Sequence, residues 1–220
     1  MRDRQTEFTA ELQNYVYENF NAEDELLKHI ANDCWVNAGI PQINITGYQP
    51  NFLQFLLKAI NAKNILEIGT LAGYSSIVMA RAVGDDAKIL TIEKEQKHAD
   101  YALKNIIAAG FENKIKIEVC NAHSFVKNYV PSEPLDFVFL DADKSAYFKY
   151  LNALTPHIRP GGLVVADNAF AFGFLLDSAP EKNPNEVRSM IGFHQHLLAR
   201  NDYFTTIVPI GDGMLLSIKK

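Results

Sequence analysis

The sequence predicts an α/β fold: a doubly wound, seven-stranded, mostly parallel sheet with added N-terminal helices. Three observations carry that prediction. From Asn64 onward, strand patterns such as "NILEI", "KILTIE" and "KIKIEV" alternate with helical ones such as "YSSIVMARAV" and "QKHADYALKNIIAAG", the signature of βαβ units. The runs "FVFL" and "LVVA" are apolar at every position, as strands buried on both faces are. At the end of the chain, "YFTTIVPI" and "GMLLSIKK" meet at a tight "GDG" and read as a hairpin that sets an antiparallel edge on the sheet.

In chain order, Phe8, Leu12, Tyr15, Val16 and Phe20 recur at helical spacing. So do Leu26, Leu27, Ile30, Ala31, Cys34, Trp35 and Ala38, with Asn21 as a cap before "AEDE". A loop holding Pro41, Gly47 and Pro50 leads to a third helical pattern in "NFLQFLLKAI". After the third strand come a short helix from about Ala122, the strand "LDFVFLDA", a helix through "AYFKYLNALTPHI", the strand "GGLVVAD" and a helix around Asn185 to Arg200. The stretch "DSAPEKNPNE", Asp177 to Glu186, reads as a mobile loop. The expected organisation is one domain over 1–220, with a helical extension over 1–60 and the sheet core over 61–220.

Composition narrows the function classes. A net charge of −5 with no dense basic run argues against nucleic-acid binding, which needs clustered Lys and Arg. Cys34 and Cys120 are far apart, so neither a disulfide framework nor a cysteine-built zinc site is expected. The start, "MRDRQTEFTAEL", lacks the apolar core of a signal peptide, and no apolar run is long enough to span a bilayer. The expectation is a cytoplasmic protein with no membrane partner.

In an open α/β sheet, ligands bind outside the carboxyl ends of the strands, so the strand tips are where chemistry should gather. The first strand ends in "EIGTLAGYS", where Gly69 and Gly73 flank a sharp turn and leave room for a ligand to approach the backbone. The second ends at Glu93, a carboxylate placed to suit the two hydroxyls of a ribose. The fourth runs straight into Asp141-Ala-Asp-Lys144, and the fifth ends at Asp167-Asn168. Each feature has an ordinary reading as well. Tight turns favour Gly, Glu93 suits a solvated loop, Asp141 suits a helix cap, Lys144 suits a surface, and Asp167-Asn168 suit a turn. All of these would have to hold together at one sheet edge.

Asp141, Asp167 and Asn168 offer three hard oxygen ligands, a set that suits Mg²⁺, Mn²⁺ or Ca²⁺; zinc would prefer His or Cys. His194 and His196 sit two apart on a helical pattern and so point to different faces, with at least one exposed to solvent. His29, His98 and His157 have no visible partner and read as structural or surface residues.

On these residues the sequence resembles class I S-adenosylmethionine-dependent methyltransferases, specifically the cation-dependent caffeoyl-CoA O-methyltransferase family, with catechol O-methyltransferase a cousin. The resemblance covers nearly the whole chain. "LEIGTLAGYSS" resembles the family's first motif, "FLDADKSAYFKYL" its metal-and-lysine motif, "IRPGGLVVADN" the next strand with its ligand pair, and "VPIGDGMLLSIKK" the C-terminal hairpin. The resemblance implies a Rossmann-like core and S-adenosylmethionine as methyl donor. Glu67, Gly69, Thr70, Gly73 and Ser75 would border its methionine part, Glu93 would hold the ribose, and Ala122 with His123 would lie near the adenine. Asp141 would lie against the cofactor as well as the metal. Asp141, Asp167 and Asn168 would bind a divalent cation, Mg²⁺ first, and Lys144 would be the catalytic base. A homodimer acting on a small hydroxylated aromatic is implied too.

The implied chemistry is physically coherent. A phenol with a pKa near 10 is a poor nucleophile at neutral pH, and chelation of two adjacent oxygens by a cation favours the phenolate. A partly desolvated lysine beside that cation can take the proton. The chain departs from the family at Ile43, Pro50, Cys120-Asn121, Ile191, His194 and the Trp-free "AFAFGFLLD", positions that bear on the cofactor pocket and the acceptor. A nicotinamide oxidoreductase is the alternative enzyme, but Leu71 stands where its glycine turn needs a second Gly. A non-catalytic S-adenosylmethionine-binding protein is the other alternative, and it would have no use for Lys144.

Overall fold

Successive side chains of a strand leave on opposite faces, and in Leu135–Leu140 (β4) every position is buried. Phe137 and Phe139 enter one apolar cluster, Val138 and Leu140 the other. This two-sided burial is the reason the run Phe137 to Leu140 is apolar at every position. The structure is a computed structural model and describes residues 6–177 and 183–220.

Seven strands form one sheet: β1 (Asn64–Ile68), β2 (Lys88–Glu93), β3 (Ile115–Val119), β4, β5 (Ile158–Ala166), β6 (Tyr203–Val208) and β7 (Met214–Lys219). Their order is β3-β2-β1-β4-β5-β7-β6, with the first five parallel and β7 antiparallel to both neighbours. The doubly wound, mostly parallel sheet expected from the sequence is therefore present. The hairpin forms the antiparallel edge that the sequence predicts. Within it β7 lies between β5 and β6, and β6 is the outermost strand. Burial explains the choice: Met214 to Ser217 are all buried, whereas in β6 only Tyr203 is.

Eight α-helices surround the sheet among the described residues: α1 (Ala10–Phe20), α2 (Glu25–Ala38), α3 (Gln49–Ala59), α4 (Tyr74–Ala82), α5 (Gln96–Ala108), α6 (Ala122–Asn128), α7 (Tyr147–Leu154) and α8 (Pro184–Leu198). Leu27 and Ile30 of α2, Leu53 and Leu57 of α3, and Ile77 and Val78 of α4 cover one face. Tyr147, Leu151 and Leu154 of α7, with Met190, Phe193 and Leu197 of α8, cover the other. None of these helices is long and apolar enough to cross a membrane.

The N-terminal caps differ in detail from expectation. Asp24, not Asn21, caps α2 by accepting from the Leu27 N–H at 3.0 Å, and Asn21 instead ends α1 and accepts from the Glu23 N–H. Helix α1 forms as its periodicity predicts, yet none of its residues is buried; Phe8, Tyr15 and Phe20 are exposed. Of the stretch expected to be a mobile loop, 178–182 lie outside the described residues, and its end, from Pro184, is already the first turn of α8.

At the N-terminal ends of the strands, opposite the site described below, Asp136 accepts from the Lys63 and Asn64 N–H groups, each at 2.8 Å, and from Arg159 Nε at 2.5 Å. One carboxylate thus ties β1, β4 and β5 together.

Candidate active site

The carboxyl ends of β1, β2, β4 and β5 open onto a cavity of about 800 Å³, whose lining includes Gly69, Glu93, Asp141, Lys144, Asp167 and Asn168. Parallel register brings these tips level: Ile68 pairs with Ile92 and Leu140, and Leu140 pairs with Ala166. The polar residue that follows each apolar run therefore arrives at the same height, at the crevice where strand order reverses.

The first turn is shaped by packing as much as by any ligand. Gly69 has φ +109, and a Cβ there would lie 2.1 Å from the Asp141 carbonyl oxygen. Gly73, at φ +80, caps α4, and its Cβ would press on Ala102 of α5 at 3.2 Å. Gly69 and Thr70 line the cavity, and the Thr70 hydroxyl lies 2.6 Å from that of Thr91. Glu67, Gly73 and His123 do not line it, whereas Ser75 and Ala122 do. Glu67 is fully buried behind the turn. It accepts from the Ser75 hydroxyl at 2.5 Å and from the Ser76 hydroxyl, and burial pushes its carboxyl up to about 7. Its route to the cavity runs through Ser75.

Glu93 accepts from the backbone N–H of Leu71 at 2.8 Å, Lys94 at 2.9 Å and Glu95 at 3.0 Å. Leu71, a non-glycine residue at φ +48, is held by that first bond. Three of the carboxylate's roughly four acceptor positions are thus engaged by its own loop. His98, expected to lack a partner, stands half-buried with Nδ1 3.6 Å from Glu93 and lines the cavity. The late-helix pair differs from expectation as well. His194 and His196 are both half-buried, and His196 bonds Asn152 at 3.0 Å.

Lys144 begins a single 3₁₀ turn capped by Asp143, which accepts from the Ser145 N–H; the cap is therefore Asp143 and not Asp141. This leaves Asp141 to face the cavity, where its Oδ1 accepts from Lys144 Nζ at 3.1 Å. Lys144 and Asp141 are both largely shielded, at 12% and 18% side-chain exposure, so the amine does not face bulk solvent. Lys144 also lies 5.7 Å from the centre of the Tyr147 ring.

Asp167 is 6% exposed. Burial raises its carboxyl above the ordinary range, and the negative charge of Asp141 raises it further. The two carboxylates together carry more negative charge than Lys144 offsets, a surplus that a cation would relieve. Among the described residues no three His, Cys, Asp or Glu side chains are grouped to hold a metal. The candidate set is two carboxylates and the Asn168 amide, whose hard oxygens fit Mg²⁺, Mn²⁺ or Ca²⁺.

Sequence reasoning missed two residues. Gln49, at the start of α3, is buried and lines the cavity, donating from Nε2 to Asp167 at 2.8 Å and accepting from the Thr46 N–H. Asp212, in the hairpin turn, accepts from Asn168 Nδ2 at 3.2 Å. The only signal for Asp212 was the "GDG" turn itself, and Gln49 had none.

Comparison with known proteins agrees with the fold. The chain is 38% identical over 216 residues to a catechol O-methyltransferase of Niastella koreensis, covering 94% of this chain and 96% of that one. It is 28% identical to a caffeoyl-CoA O-methyltransferase of Populus kitakamiensis over 93% of this chain and 92% of that one. The crystal structure of the O-methyltransferase TomG of Streptomyces achromogenes, in complex with SAM, superposes with a TM-score of 0.85 at 29% identity and 96% coverage of both chains. Residues 17–220 match the family model described as O-methyltransferase, and the chain belongs to that family.

Proposed function

We propose that this chain transfers the methyl group of S-adenosylmethionine to one hydroxyl of a vicinal dihydroxy aromatic, with Lys144 taking the hydroxyl proton. The observation that carries the reading is the Lys144–Asp141 contact of 3.1 Å, made on a cavity wall shared with Asp167 and Asn168. Relatives named for catechol and caffeoyl-CoA methylation and a SAM-bound structural neighbour support donor and acceptor class.

S-adenosylmethionine supplies a sulfonium-bound methyl group, and a divalent cation supplies positive charge that favours the phenolate. Asp141, Asp167 and Asn168 are the oxygen ligands for that cation. Lys144 takes the hydroxyl proton at Nζ. The methyl carbon that a bound S-adenosylmethionine would supply would bond to the deprotonated oxygen as its bond to sulfur breaks, which would give the methyl ether and S-adenosylhomocysteine. Gly69, Thr70 and Ser75 border the methionine part, Glu93 the ribose and Ala122 the adenine. Glu67 acts behind them through Ser75. The shielding of Lys144 and Asp141 keeps water from the reacting groups and strengthens their interaction.

The reading extends to Mg²⁺ as the working cation, one domain over the chain, a cytoplasmic location and a homodimer. The exposed apolar residues of α1 and α2, including Phe20, Trp35 and Val36, supply a face that a second copy would cover. The test is methyl transfer to a simple catechol with Mg²⁺ and with EDTA, for the wild type and Lys144→Ala. Activity that needs the metal and falls about 10²- to 10⁴-fold in the variant is expected. Near-full rates in EDTA, or in Lys144→Ala, would overturn the mechanism.

A further inference from the structure

The Gly-Asp-Gly turn between β6 and β7 does more than reverse the chain. Gly211 and Gly213 have φ +59 and +77, and a Cβ on either would collide with a residue of the site region: 2.6 Å from the Gln49 side chain and 2.9 Å from the Phe170 ring. The turn is therefore pressed against the loop that follows β5. Its backbone is bonded there as well, with the Ala169 N–H donating to Gly213 and the Phe170 N–H to Asp212, each at 2.9 Å.

Between the two glycines, the Asp212 carboxylate gathers three donors from that loop. Oδ2 accepts from Asn168 Nδ2 at 3.2 Å and from the Phe172 N–H at 2.6 Å, and Oδ1 accepts from the Gly173 N–H at 3.1 Å. Asn168, Ala171 and Phe172 have φ +58, +51 and +60, conformations that non-glycine residues hold only when their surroundings impose them. Asp212 holds this loop from one side, through the Phe172 and Gly173 N–H groups and the Asn168 amide.

We infer that Asp212 is a positioning residue that turns the Asn168 amide so that its oxygen is the atom presented to the site. An ionised carboxylate has only acceptors, so it must take the NH₂ end of the amide; the remaining polar atom of Asn168 is the carbonyl oxygen, a hard ligand. Without Asp212 the amide is free to flip and offer a donor where a cation needs an acceptor. Such outer-sphere partners orient metal ligands and tune their affinity. This inference rests on the reading of Asn168 as a cation ligand.

Mn²⁺ binding followed by electron paramagnetic resonance tests it, on the whole chain with Asp212→Asn and Asp212→Ala. Binding of S-adenosylhomocysteine, measured by calorimetry, runs in parallel. Asparagine at 212 faces three donors with one oxygen and one NH₂, so it cannot reproduce the clamp. The Mn²⁺ Kd is expected to rise about 10- to 100-fold while S-adenosylhomocysteine affinity stays within about 2-fold. In an Asn168→Ala background, adding Asp212→Asn should change the Mn²⁺ Kd by less than about 2-fold, since both act through one amide. Equal Mn²⁺ affinity in wild type and variants would overturn the role of Asp212 and leave the cation site standing. A wild type that binds no Mn²⁺ would remove the cation site itself. Loss of S-adenosylhomocysteine binding in both variants would make Asp212 a requirement of the fold and end the positioning proposal.

Discussion

Replacing Glu67 by glutamine isolates the energetic effect of a buried carboxyl at the base of the first turn. Glu67 has no exposure, receives the Ser75 and Ser76 hydroxyls, and has its carboxyl pushed by burial from 4.5 to about 7. Between those two values the folded chain keeps a proton that the unfolded chain releases. The group's stabilising contribution is therefore complete below about pH 4.5, is lost as pH rises to about 7, and is flat above. At about 1.4 kcal/mol per pH unit of separation the full loss is about 3 kcal/mol, most of which falls between pH 5 and 8. Glutamine has nearly the same shape, and its oxygen and NH₂ can each pair with a serine hydroxyl, so the variant lacks the titration but keeps the packing. The assay is urea unfolding of both proteins in EDTA across pH 5 to 8, read as the difference in unfolding free energy. That difference should move by about 2 to 3 kcal/mol in favour of Glu67→Gln as pH rises. The raised carboxyl of Asp167 is present in both proteins and cancels. A difference that stays flat, or moves toward the wild type, would refute the argument that Glu67 holds its proton in the fold.

Asp136→Ala strands the Lys63 and Asn64 N–H groups and leaves Arg159 without its carboxylate partner. A cost of about 3 kcal/mol is expected, lowering Tm by about 6 to 12 °C with kcat at low temperature nearly unchanged; an unshifted Tm would count against the three-strand tie. Gly69→Ala places a methyl group 2.1 Å from the Asp141 carbonyl oxygen at φ +109, so the turn cannot close, and the variant should lose S-adenosylmethionine binding in calorimetry. Wild-type affinity in that variant would show that the turn yields more than its packing allows.

Several parts of the site were legible because they depend on local pattern. Apolar runs that end abruptly in Asp141, Asp167-Asn168 and Glu93 mark strand tips, and parallel pairing brings those tips together at one edge. Gln49 and Asp212 were not legible. Gln49 reaches Asp167 across 118 positions, and Asp212 reaches Asn168 across 44; neither sits at a tip of the parallel strands. The place of β7 inside the sheet was hidden for a related reason. The choice between two hairpin strands depends on which one finds apolar neighbours on both faces, and only the assembled sheet supplies those neighbours.

By itself the sequence determined the alternation of strands and helices, the two-sided burial of the central strands and the polar residues at their ends, since each follows from periodicity within a few residues. The tertiary structure decided which of those residues face the cavity. It set Glu67 and Gly73 behind the turn, spent most of Glu93's acceptors on its own loop, and put the hairpin turn against Asn168. The physical reason is that a side chain's partners are fixed by the packing of distant segments, and one strand's periodicity carries no record of what another brings to meet it.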